Sequence, residues 1–248
     1  VIDYLNLLEK ANTRVVILSR SRFKTITTHK LMPFATLVVP TSEFDDYDSI
    51  FEGEIIAIPD AITGIGNVRN WILNHFTEET IIMADDDISY VRCAVGENGY
   101  NLDYPEDVFM VLYQALICAK DLGVGFFGFN QTNGDVRKYN ASEPFKLNSW
   151  AGGVIGVIGR DISFSTNKFK TDIDFVLRNL LTKRIVWIDQ RYSFTQIRVK
   201  NKGGNSKFRT QAKVDMEIAK LKTQWKGHFR IANSKSGERV NINVKRRQ

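Results

Sequence analysis

Unbroken apolar runs dominate the first half of the chain. Arg14 to Ser19 (RVVILS), Ala35 to Val39 (ATLVV), Glu54 to Ile58 (EIIAI) and Thr80 to Ala84 (TIIMA) are rich in β-branched residues, and Pro40 and Pro59 stop the second and third. Such runs predict strands buried on both faces. Between the third and fourth, Asn67 to Phe76 places Val68, Trp71, Ile72 and Phe76 on one helical face. A longer helix is predicted after Asp103, the expected cap. Pro105 stands in its first turn, Glu106 and Asp107 suit its positive end, and Gly123 ends it. Val108, Leu112, Leu116 and Ala119 form its apolar face.

The second half continues the alternation. Gly125 to Asn130 and the Gly-rich Ala151 to Gly159 (AGGVIGVIG) read as strands, the latter one that something approaches closely. Thr171 to Lys183 reads as a helix, Ile185 to Ile188 as a strand, and Lys200 to Asn205 (KNKGGN) as a loop. Ser206 to Trp225 carries a helical face at Val214, Ile218, Leu221 and Trp225, and Ile231 to Gln248 looks poorly packed. The class is therefore α/β, with a mostly parallel central sheet and flanking helices. One domain over residues 1–197 (donor half about 1–100, acceptor half about 101–197) is expected, with a C-terminal extension over 198–248.

Charge sharpens that division. The chain of 248 residues has a net charge of +6, but Arg198 to Gln248 holds 15 Lys/Arg against 3 Asp/Glu. An acidic body thus carries a basic final fifth, suited to a polyanion such as nucleic acid or to a solvated tail. Two cysteines, Cys93 and Cys118, exclude a disulfide scaffold and lack zinc-site spacing. No apolar run approaches a membrane span, and Val1 to Lys10 does not read as a signal peptide. A soluble, cytoplasmic protein without membrane partners is expected.

The candidate chemistry centres on Ile81 to Ile88 (IIMADDDI). Three carboxylates directly after an apolar strand repel one another unless a cation lies between them, and ligands of open α/β sheets bind beyond strand carboxyl ends. Asp85 and Asp87 are the expected metal pair, with Asp86 turned toward a sugar hydroxyl. The strand end LSRSR offers Ser19 and Arg20 to a phosphate or nucleobase. In TGIGNVRNW, Gly66 permits close backbone approach and Arg69 projects from the first helical turn; the dinucleotide fingerprint is incomplete here. Trp150 with Gly152 and Gly153 suits an acceptor platform. In TDIDF, Asp174 or Asp172 is the candidate base, although Thr171 and Asp174 also have capping-box spacing. Lys202, Gly203 and Gly204 form a candidate phosphate cradle. His228, in KGHF, is a candidate additional metal ligand.

Together, VVILSRSR, IGNVRN, IIMADDDI, the WAGG segment, TDIDF and KGGN resemble the GT-A glycosyltransferases. More narrowly, they are similar to the TET/JBP-associated glycosyltransferases of bacteriophages and base J synthesis. The resemblance spans roughly Arg14 to Ser206. It implies an Asp-x-Asp motif, Asp85 to Asp87, that binds Mn²⁺ or Mg²⁺ and through it a UDP-sugar. It implies donor contacts by Arg20 and Arg69, and a base at Asp174 or else Asp172. It also implies transfer of a sugar, with glucose from UDP-glucose expected, to 5-hydroxymethylcytosine or 5-hydroxymethyluracil in double-stranded DNA, within an infected host cell if phage-encoded. The other readings are a GT-A enzyme with a polysaccharide, lipid or protein acceptor, a nucleotidyltransferase, and a non-catalytic DNA-binding domain.

Overall fold

All seven expected strands are strands in the computed structural model, which describes residues 3–166, 170–196, 210–234 and 237–244. In chain order the elements are α1 (Tyr4–Lys10), β1 (Thr13–Leu18), α2 (Thr28–Leu31), β2 (Thr36–Pro40), α3 (Phe44–Asp48), β3 (Ile55–Ile58), α4 (Ile65–His75) and β4 (Thr80–Asp85). They continue with β5 (Ile88–Cys93), β6 (Tyr100–Leu102), α5 (Pro105–Asp121), β7 (Phe126–Phe129), β8 (Phe145–Lys146), β9 (Val154–Ile158) and α6 (Thr171–Lys183). The last are β10 (Trp187–Asp189), β11 (Tyr192–Gln196), α7 (Gln211–Gln224), β12 (Phe229–Ser234) and β13 (Gly237–Ile242).

An eight-stranded sheet in the order β3-β2-β1-β4-β9-β7-β10-β8 forms the centre. It is mostly parallel; β9 and β8 run against the rest. Its strands are apolar throughout because both faces are covered. Val15, Ile17, Leu37, Val39, Ile82 and Ala84 pack on the side of α5. Their neighbours Val16, Leu18, Val38, Ile81 and Met83 pack with Ile72 of α4 and Ile173, Val176 and Leu180 of α6. β1 lies between β2 and β4, so the chain leaves it in both directions across the sheet, and the crevice at its carboxyl end is the place where such sheets take ligands. A second sheet, β11-β5-β6, is antiparallel and borders that crevice through Ile88 and Gln196, which pair.

Two local expectations are corrected. The residue before α5 is Tyr104, so Asp103 is not its cap. Lys170, in the left-handed conformation at φ 58°, precedes α6 with no side-chain cap, so Thr171 and Asp174 do not form a capping box.

The C-terminal segment is better packed than its polarity suggests. Leu221, Phe229 and Val244 are buried in the core beside α4 and α6, and Ile231, Val240 and Ile242 pack against it. β12 and β13 pair as a hairpin, and Asn148 Nδ2 donates to the Val244 carbonyl at 2.7 Å. Over its described residues, the expected extension is thus seated on the body. No helix among the described residues is long and apolar enough to cross a membrane.

Candidate active site

Strand register assembles the site. β1 and β4 run parallel with Leu18 beside Asp85, so the residues that leave the two strands meet. Ser19 Oγ donates to Asp86 Oδ2 at 2.5 Å, and Arg22 Nη1 donates to Asp86 Oδ1 at 2.5 Å and Asp87 Oδ2 at 3.2 Å. Behind them, the Tyr47 hydroxyl lies 2.6 Å from Ser19 Oγ and accepts from the Arg22 backbone N–H at 3.0 Å. Burial pushes the Tyr47 hydroxyl up to about 12.

Asp86 is 4% exposed and both its oxygens are engaged. Burial pushes its carboxyl up to about 6, against the opposing pull of Ser19 and Arg22. This corrects the expectation that Asp86 and Ser19 contact the donor: they face inward and brace the strand ends. Asp87 is also raised, first by burial and then by the charge of Asp85.

Asp85 and Asp87 converge on one atom. Gln196 Nε2 donates to Asp85 Oδ2 at 2.7 Å and to Asp87 Oδ1 at 3.1 Å. Arg69 Nη2 lies 3.6 Å from Asp85 Oδ1. The Arg69 side chain passes over the Phe164 ring, is 5% exposed as a residue, and its Nε has no hydrogen-bond partner. Among the described residues, three carboxylates stand against two guanidiniums, Arg22 and Arg69, a negative excess that suits a hard cation with oxygen ligands. The donor set fits Mg²⁺ or Mn²⁺. Among the described residues, no group of three or more His, Cys, Asp or Glu side chains is arranged to hold a metal.

The Gly-rich segment lies alongside. The Asp85 N–H donates to the Gly153 carbonyl at 2.7 Å, since β4 and β9 pair antiparallel up to Ala84 and Val154. A Cβ on Gly152 would stand 3.0 Å from Asp172 Oδ2, 3.6 Å from the Trp150 ring and 3.7 Å from Gln131 Oε1. Trp150, Gly152, Gly153 and Asp172 are thus brought together one strand away from Asp85.

Asp174, Gly66 and His228 fall elsewhere. Asp174 is 0% exposed; its Oδ2 accepts from Arg178 Nε at 2.7 Å, and its Oδ1 accepts from Trp225 Nε1 at 2.7 Å and Gln224 Nε2 at 3.1 Å. It clasps α7 to α6 and is closed off from solvent, which corrects its candidacy as base. Gly66 is needed for a protein contact: a Cβ there would lie 2.0 Å from the Ser165 carbonyl oxygen. Its bare backbone faces that carbonyl, not a donor. Arg20 Nη2 donates to the Ile62 carbonyl at 3.1 Å, at the loop before α4. His228 sits in the turn between α7 and β12, where its N–H donates to the Trp225 carbonyl and its carbonyl accepts from the Asn243 N–H. It is not joined to Asp85 or Asp87. Lys202, Gly203 and Gly204 lie outside the described residues.

Sequence reasoning missed Gln196. Arg22 stands in the LSRSR run expected at a phosphate or nucleobase, but it pairs with Asp86 and Asp87 instead. Gln196 had no local signal; only the pairing of β11 with β5 brings it to the carboxylates.

The large, mostly parallel central sheet with its flanking helices is the architecture of a GT-A glycosyltransferase fold. Residues 13–204 match the family described as TET-Associated Glycosyltransferase, and the chain belongs to that family. Among solved structures, the fold is similar to glucosyl-3-phosphoglycerate synthase from Mycobacterium tuberculosis in complex with Mg²⁺ and UDP. That likeness has a TM-score of 0.52 and 11% identity, over 98% of this chain and 92% of that one. Mannosyl-3-phosphoglycerate synthase from Rubrobacter xylanophilus matches with a TM-score of 0.46 and 11% identity, over 98% and 89%. S. aureus TarS 1–349 matches with a TM-score of 0.47 and 12% identity, over 74% of this chain; the chain spans 60% of that one. No curated protein sequence matches.

Proposed function

We propose that the protein transfers a sugar, glucose from UDP-glucose, to the hydroxyl of a hydroxymethylated pyrimidine in double-stranded DNA, with Mn²⁺ or Mg²⁺ at Asp85 and Asp87. The observation that carries this reading is the convergence of those two carboxylates beside Arg69, a buried guanidinium whose Nε has no partner. Burying such a group without hydrogen bonds is costly, and diphosphate oxygens match its planar fork of donors. The cation, held by Asp85 and Asp87, supplies charge neutralisation on the departing diphosphate. Arg20 and the loop of Lys202, Gly203 and Gly204 are further proposed donor contacts.

Asp172 is the proposed base. Its oxygen stands at Gly152, beside the Gly153 carbonyl that Asp85 binds, whereas Asp174 is fully engaged. The acceptor hydroxyl oxygen attacks the anomeric carbon and gives its proton to Asp172. The bond from that carbon to the diphosphate oxygen breaks, and its electron pair leaves with the diphosphate. A direct displacement of this kind inverts the anomeric centre. A neutral primary alcohol is a poor nucleophile, so the base is worth about 10²- to 10⁴-fold in rate. Turning a base out of the duplex costs roughly a few kcal/mol. Stacking on Trp150 would offset about 1–3 kcal/mol of that. The family description and the basic C-terminal fifth support a DNA acceptor.

The test incubates the protein with Mn²⁺, a panel of UDP-sugars, and duplex DNA containing 5-hydroxymethylcytosine or 5-hydroxymethyluracil. Digested nucleosides are then weighed by mass spectrometry. A hexose mass on one modified nucleoside, absent with Asp85→Asn, is the expected result. Donor hydrolysis that depends on Asp85, without a DNA product, would overturn the DNA acceptor in favour of a polysaccharide, lipid or protein.

A further inference from the structure

The geometry points to Gln196 as the third protein ligand of the divalent cation, its carboxamide oxygen joining Asp85 and Asp87. The inference rests on the proposal that this pair takes a metal. Mg²⁺ holds oxygen ligands at about 2.0–2.1 Å in an octahedron, which places neighbouring ligand atoms about 3 Å apart. Gln196 Nε2 lies 2.7 Å from Asp85 Oδ2 and 3.1 Å from Asp87 Oδ1. That end of the carboxamide therefore already stands at ligand-to-ligand spacing from both carboxylates. The nitrogen faces them in this structure because an N–H donates to both; a cation between them calls for an oxygen. A half turn about the last side-chain torsion exchanges the two ends.

The Gly153 side leaves room for that turn. A Cβ on Gly153 would stand 3.2 Å from Gln196 Cδ, 3.3 Å from Oε1 and 3.4 Å from Nε2. Three near-equal distances mean that the carboxamide lies flat over the bare backbone of Gly153, which has a φ of +77°. Turning it in place leaves its footprint unchanged. Its backbone is anchored: the Gln196 N–H donates to Asn133 Oδ1 at 3.2 Å, and Gln196 pairs with Ile88 next to Asp87. Neither other candidate competes, since Asp86 is bound to Ser19 and Arg22 and His228 is in the α7–β12 turn.

Electron paramagnetic resonance titration of Mn²⁺ in the presence of UDP tests this on the full chain, Gln196→Ala, Gln196→Glu and Asp85→Asn. Removing even an outer partner of a metal site typically weakens affinity about 10- to 100-fold. Gln196→Ala is therefore expected to raise the Mn²⁺ Kd at least about tenfold. Gln196→Glu, with a charged oxygen in the same place, binds at least as tightly as the parent. Unchanged or tighter binding by Gln196→Ala overturns the assignment. Weakening in both variants overturns it too, because it marks an N–H donor and not a ligand. Parent binding that survives Gln196→Ala but not Asp85→Asn removes Gln196 alone; absence of Mn²⁺ binding by the parent removes the metal reading with it.

Discussion

Asp172 and Asp174 are two residues apart on one helix, yet their surroundings separate them completely. Asp174 makes three hydrogen bonds inside the protein, and Asp172 reaches the Gly152 platform. Asp172→Asn is expected to lower turnover about 10²- to 10⁴-fold while UDP binding persists, as single-turnover rates and calorimetry would show. Asp174→Ala acts on the fold instead. It strands Trp225 Nε1, Gln224 and the half-exposed Arg178, and it should cost about 3 kcal/mol in denaturant unfolding. Arg69 acts mainly on binding. Arg69→Met takes the guanidinium away from Asp85 and leaves that carboxylate uncompensated, so the unfolding midpoint should fall. UDP binding should weaken about 10- to 100-fold, the worth of one or two hydrogen bonds to a charged group.

Between elements, close approach decides the outcome. α4 meets the segment before α6 at Gly66, where a Cβ would sit 2.0 Å from the Ser165 carbonyl oxygen. Gly66→Ala forces one of them away. The expected cost is about 1–3 kcal/mol of overpacking, seen as a lower denaturation midpoint. Because Arg69 lies one turn further along α4, its approach to Asp85 shifts as well, and UDP affinity should fall in the same variant. The second junction is β11 with β5. It delivers Gln196 across 111 residues of chain to Asp85, and the bare backbone of Gly153 makes room for its carboxamide.

Across the whole molecule, charge and packing must be separated before the basic C-terminal fifth can be tested. Deleting 231–248 would be expected, on charge alone, to weaken DNA binding most at low salt. The structure makes that a poor probe, because the deletion also removes Ile231, Val240, Ile242 and Val244 from the core beside α4 and α6. Neutralising the exposed Lys222, Lys226 and Arg230 to Gln leaves Leu221 and Phe229 in place. The slope of log Kd for DNA against log salt, read by fluorescence anisotropy, should then become shallower by up to about 0.9 for each phosphate no longer neutralised. An unchanged slope would place the DNA-binding cations elsewhere.

The strands were legible in the sequence because a doubly covered strand is a local signal. Val15 to Leu18 are all apolar since neighbours along the strand point into opposite, equally dry layers. The carboxylates at the end of Thr80 to Asp85, the helix over Thr171 to Lys183 and the basic C-terminal fifth were legible for the same reason: each is written in adjacent residues. The hairpin β12–β13 was not, because its few apolar positions are spread among polar ones and find their partners only on the body. Which acid faces outward was not legible either. Asp86 is turned inward by Ser19, 67 residues away, and Asp174 is occupied by Trp225, 51 residues away. By itself the sequence determined the class of fold and where its acids cluster. Only tertiary structure decided that Gln196 meets Asp85 and Asp87 and that Asp172 comes to Gly152, because burial and partnership arise between distant segments, not between neighbours in the chain.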